Sequence, residues 1–113
     1  MKENLNVAVI QMDLAWENIQ KNLEIFSERI DAIRETVDLI ILPEMFTTGF
    51  SMNAEPLAEE NEGAAFKWMK NIATERDSAI TGSVIVKEDG NYYNRLYFIF
   101  PNGDYKTYDK KHT

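Results

Sequence analysis

Few residues of this 113-residue chain can do chemistry. It holds one histidine, His112, and no cysteine. A transition-metal site built from His and Cys is therefore not available within these residues, nor are disulfides or thiol catalysis. A Ser-His-Asp set would depend on His112, the penultimate residue, which the chain end could hardly orient. The glycines, at 49, 63, 82, 90 and 103, fit neither a P-loop nor G-x-G-x-x-G. Carboxylates and amines remain in quantity, 19 Asp and Glu against 12 Lys and Arg. Since abundance carries no signal, position must choose among them.

Glu44 is chosen by position. It directly follows Leu39-Ile40-Ile41-Leu42-Pro43, at the carboxyl end of what reads as a buried parallel strand. Ligands of open α/β sheets bind just outside such strand ends. The next residues, MFTTGF, are apolar and small, and suited to wall the carboxylate off from water for general-base use. The plainer alternative is a carboxylate that caps a helix or bonds nearby backbone amides. Lys110 is the second candidate. Tyr108-Asp109-Lys110 ends the last strand-like segment, and one sheet can bring that ammonium near Glu44. Its alternative is a solvated pair with Lys111.

The elements that must position these residues follow from periodicity. Leu5 to Ile10 is a short Val/Ile-rich run that suits a buried strand. Trp16, Ile19, Leu23, Phe26, Ile30 and Ile33 then recur at alternating spacings of 3 and 4, the stripe of an amphipathic helix. Leu39 to Leu42 is a second strand, parallel to the first if the helix crosses over between them. Thr47 to Glu62 reads as a loop, with Glu55, Glu59, Glu60 and Glu62 as a solvated acidic surface. Gly63 to Arg76 is a second helix, with Ala65, Phe66, Met69, Ile72 and Ala73 inward. Three strands follow, Ile80 to Lys87, Tyr92 to Phe100 and Tyr105 to Asp109. Asp89-Gly90 and Asn102-Gly103 supply residues that tolerate positive φ in the hairpin turns. The order is β-α-β-α-β-β-β. Two helices cover one face of such a sheet, while its apolar strands and the aromatic residues of the fourth ask for cover on both.

Composition bounds the partners. With 44% hydrophobic and 27% charged residues the chain is globular and long enough for one domain. A net charge of −7 and no basic stretch beyond Lys110-Lys111 argue against nucleic acid. No apolar run is long enough to span a bilayer, and Met1 to Asn6 lacks a secretory pattern, so a cytoplasmic location is the default expectation.

Four segments in order carry a resemblance: VAVIQMD, the strand followed by LPEMF, the hairpin VIVKEDGNYYNRLYFIFPNG, and YDKKH, which holds a Tyr-x-Lys-x-His pattern about sixty residues after Glu44. Together they resemble the nitrilase or carbon–nitrogen hydrolase superfamily. LPEMFTTGFSM is similar in particular to its bacterial omega-amidase branch, which hydrolyses the terminal amide of 2-oxoglutaramate and related 2-oxo acid amides. The resemblance runs over all 113 residues but spans only the first half of the family's domain. It implies the N-terminal half of a four-layer α-β-β-α sandwich, as one incomplete domain over residues 1–113 ending just after the lysine motif.

The resemblance implies a Glu, Lys, Cys triad. Glu44 matches the general base, and Lys110 the lysine that stabilises the anionic oxygen of a tetrahedral intermediate. Lys111 falls at a variable position and His112 at a supporting one. Thr113 departs from the Leu of many relatives. A thiolate attacks the amide, ammonia leaves, and water hydrolyses the thioester; a buried Glu and Lys would hold each other ionised. No cofactor or metal is called for. Phe50 is assigned to an apolar wall of the pocket, the small-molecule amide substrate being the partner. The cysteine is absent, so these 113 residues are expected to be inactive; without the half that would cover the sheet they are expected to be poorly stable, aggregated or tightly dimeric. The complete domain is expected to form a homodimer through one helical face, or a larger homo-oligomer. Two alternatives stay open: another amidase branch such as a nitrilase, an N-carbamoyl hydrolase or a glutaminase, and a non-catalytic half-domain that binds a partner.

Overall fold

The computed structural model describes residues 5–11, 18–44, 46 and 58–111. Trp16, Phe50 and His112, and the loop over 47–57, lie outside the described residues, as does the Lys111 side chain. The elements run β1 (Val7–Val9), α1 (Ile19–Asp31), β2 (Leu39–Ile41), α2 (Ala64–Arg76), β3 (Ala79–Glu88), β4 (Asn91–Ile99) and β5 (Tyr105–Lys111). This is the order expected from the periodicity.

Asn18 starts α1: its side-chain oxygen accepts the Lys21 N–H at 3.1 Å, satisfying one of the first-turn donors. The helix then buries Leu23, Phe26 and Ile30 on one stripe. α2 has no side-chain cap at Gly63. The Glu59 carboxylate substitutes, accepting the Ala65 N–H at 2.9 Å. Glu59 is thus half-buried where a solvated acidic surface was expected, because the helix N-terminus offers it backbone donors. Its segment is no plain loop either, since Glu59 pairs in parallel with Val86. α2 ends on Asp77 in the left-handed conformation, φ 52°.

One sheet carries the strands in the order β1-β2-β3-β4-β5. The first three are parallel and the last two pairings antiparallel. Because β1, β2 and β3 advance in one direction, a common crossover hand sends both helices to the same face. There Phe26, Ile30, Ile40, Phe46, Phe66, Met69, Val84, Val86, Tyr97 and Ile99 form one buried cluster. Phe26, Phe46 and Trp68 pack with centroids 5.6–6.4 Å apart, adding about 0.5–1.5 kcal/mol per pair beyond burial. The opposite face leaves Val9 57% and Tyr108 70% exposed, with Leu96 also exposed. One helical and one sheet layer is half of an α-β-β-α sandwich.

The β3–β4 turn is Asp89-Gly90 with φ of 52° and 78°, a pair of positive values that a two-residue hairpin requires. The second turn departs from expectation. Only Gly103, at φ 93°, is left-handed there; Asn102 instead accepts the Asp104 N–H at 2.9 Å and shapes a wider loop over 100–104.

Candidate active site

The chain beyond β2 is fixed by its apolar neighbours. Leu42 N–H continues the parallel ladder to Thr81 O at 2.9 Å, and Phe46 N–H reaches Ser83 O at 3.3 Å. The Phe46 ring is fully buried among the helices. Room for it exists because residue 82 is glycine: a Cβ there would lie 3.0 Å from two Phe46 ring atoms and 3.2 Å from Leu42 Cβ. With Leu42 and Phe46 held on the helical side, the Glu44 carboxylate turns to the uncovered one. There its Oε1 accepts from Asn94 Nδ2 at 3.5 Å, the long end of the hydrogen-bond range. Glu44 is exposed among the described residues; of the MFTTGF segment expected to wall it off only Phe46 is described, and its ring lies in the helix-side core.

Lys110 stands on the same face from the other edge of the sheet. Asn94 on β4 lies directly opposite Lys110 on β5, and residues directly opposite in an antiparallel pair share a face. The register therefore gathers Glu44, Asn94 and Lys110 on the uncovered face. Glu44 and Lys110 make no ion pair: among the described residues the ion pairs are those of Arg95, and Lys110 is exposed. Asn94 Oδ1 is buried without a hydrogen-bond partner among the described residues.

Behind this group, on the helical face, lies a charged cluster. Arg95 is buried and donates to both carboxylate oxygens of Asp109 at 2.6 and 2.7 Å. It also donates to Glu88 at 3.2 Å through two nitrogens and to Asn61 at 3.0 Å. Those bonds, first to Asp109 and then to Glu88, push the guanidinium's pKa up and keep it cationic. Tyr97 donates to the same Asn61 oxygen at 2.7 Å, and burial raises its phenol. Tyr105 donates to Glu62, a bond that raises its own phenol. Burial also raises Glu59, against the lowering effect of its bonds to Ala65 and Ala64.

Sequence reasoning located Glu44 and Lys110 and missed Asn94, Arg95 and Asp109. Arg95 did carry a signal, since it occupies the inward parity of β4 between Tyr93 and Tyr97, where a charge needs a partner. Among the described residues no group of three or more His, Asp and Glu is placed to hold a metal. Nor is any helix among them long and apolar enough to cross a membrane.

A sheet that runs parallel then antiparallel, with both helices on one face, is the half-sandwich of a carbon–nitrogen hydrolase. The family described as carbon-nitrogen hydrolase matches residues 6–113, and the chain belongs to it. In sequence it is 37% identical over 109 residues to omega-amidase YafV of Yersinia enterocolitica, covering 96% of this chain and 41% of that protein. It is 28% identical over 109 residues to 2-oxoglutaramate amidase of Bacillus subtilis, covering 94% and 42%. In structure it is similar to XC1258 of Xanthomonas campestris, a CN-hydrolase superfamily protein, with a TM-score of 0.90 and 32% identity over 96% of this chain and 41% of that one. The chain thus spans about two fifths of the length of the relatives it matches.

Proposed function

We propose that the protein is an amidase acting on the terminal amide of a 2-oxo dicarboxylic acid monoamide such as 2-oxoglutaramate. The observation that carries this reading is the convergence of Glu44 and Lys110 on one sheet face at Asn94, in a chain 37% identical to an omega-amidase. In the proposed reaction a cysteine thiol attacks the amide carbon. Glu44 takes the thiol proton and returns it to the departing nitrogen, while Lys110 stabilises the oxyanion. Glu44 then takes a proton from the water that cleaves the thioester and gives it to the departing thiolate, which restores both groups. The 113 residues hold no cysteine, and the reading takes them as the first part of one longer domain whose remainder brings the thiol. It also carries a homodimer joined through a helical face, which light scattering of the complete protein checks.

The test is ammonia release by the complete protein from 2-oxoglutaramate, glutamine and a simple nitrile. Turnover of the first alone is expected, with Glu44→Gln and Lys110→Ala each lowering kcat at least about a hundredfold. Equal turnover of glutamine or the nitrile would move the protein to another amidase branch. No ammonia from any of them would leave a binding module as the better reading.

A further inference from the structure

We infer that Asn94 is the positioning residue of this site, joining Glu44 to Lys110 through the two ends of one carboxamide. The inference rests on the amidase reading for its catalytic consequence, and on geometry for the bridge itself. An ionised carboxylate can only accept hydrogen bonds, so the Asn94 end that faces Glu44 at 3.5 Å must be the Nδ2 donor. That fixes the other end. Oδ1 is turned away from Glu44, is buried, and has no partner among the described residues. A buried carbonyl oxygen left unpaired costs about 1–3 kcal/mol, and it demands a donor.

The register supplies one. Lys110 is the residue directly opposite Asn94, with Cβ atoms about 5 Å apart in such a pair. Its ammonium is exposed, and a flexible four-carbon stem is long enough to span the gap between directly opposite residues. The remaining charged or titratable side chains that the register puts on this face are Lys87 of β3, Tyr92 of β4, and Lys106 and Tyr108 of β5. Lys87 stacks over the Tyr92 ring with Nζ 5.8 Å from its centroid. Lys106 and Tyr108 lie opposite Phe98 and Leu96, further along β5 from Asn94. The Ser83 hydroxyl of β3 also belongs to this face but is engaged in an interaction of its own, so the donor assigned to Asn94 is Lys110. So bridged, the base and the oxyanion partner are held to one carboxamide.

The experiment compares Asn94→Ala and the isosteric Asn94→Asp with wild type in the complete protein. It reads kcat and KM across pH, melting temperature, and the pH at which the 13C signal of the Glu44 carboxyl titrates. Asn94→Ala is expected to lower kcat about tenfold or more with KM changed less than about twofold. Asn94→Asp replaces the donor by a second carboxylate beside Glu44. A second carboxylate there disfavours ionisation of the first, so the acid limb of the rate profile and the carboxyl signal should both move upward from wild type. Melting temperatures should stay near wild type. Unchanged kcat and titration in both variants overturn the inference, as does a loss of kcat that follows melting temperature with no movement of the titration. If wild type releases no ammonia from any amide, the functional reading fails, while the carboxyl titration still decides the bridge.

Discussion

Arg95 and Asp109 face each other across β4 and β5 in a two-pronged pair, with nitrogen–oxygen distances of 2.6 and 2.7 Å. The next residues along, Asn94 and Lys110, are opposite each other too, but on the other face. Each strand therefore places a structural charge behind a residue of the candidate site. The ion pair locks the register that brings Lys110 to Asn94.

Arg95→Met tests that lock. It leaves Asp109 and Glu88 without their cation, both of them part-exposed, and should destabilise the complete protein by about 2–4 kcal/mol. Equilibrium urea unfolding measures it. A loss below about 0.5 kcal/mol would mean that β5 holds its register without the pair.

Gly82→Ala tests how the chain beyond β2 is seated. The added methyl would sit 3.0 Å from the Phe46 ring, and such overpacking costs about 1–3 kcal/mol. Phe46→Leu makes room, so the double variant should lose less than the sum of the two single losses. A double-mutant cycle by thermal unfolding reads the coupling. Simple additivity would show that Phe46 does not need the missing side chain.

Glu59 gives the fold a pH dependence of known sign. Burial raises its folded value above the ordinary 4.5, so the folded protein holds the proton more tightly than the unfolded chain. Its contribution to stability is then lost as pH rises from about 4.5 to the raised folded value, and is constant beyond. Glu59→Gln cannot titrate. The melting temperature of that variant, taken relative to wild type, should climb with pH across this window. A fall instead would mean that the helix N-terminal N–H groups outweigh burial.

The element order was legible because apolar residues recur with helical or strand periods, and because Pro43 and Asp89-Gly90 mark where strands stop. Glu44 was legible for the same reason: it stands where a buried strand ends. Its surroundings were not. Nothing local shows that Phe46 turns to the helical side, since that depends on an empty position at Gly82 and on Trp68 of a distant helix. Asn94 looks like an ordinary polar residue of a half-solvated strand, and only the β4–β5 register gives it Lys110 as a neighbour. Glu59 was hidden inside an acidic run, where composition points to solvent. Its burial follows from where α2 begins, which is a matter of packing and not of local pattern.

The strand order, which follows chain order, also sets a timetable for assembly. β3, β4 and β5 are joined by short turns at 89–90 and 100–104, so little loop-closure entropy opposes their pairing. β2 docks on β3 only after a far longer connection through α2 has been brought back. Local pairings close in microseconds and long crossovers follow later. We therefore expect pulsed hydrogen exchange to protect the amides of β4 and β5 before that of Leu42, and simultaneous protection would refute it. Lys110 then finds Asn94 while the sheet is still a three-stranded meander. Glu44 arrives last, onto a surface already shaped to receive it.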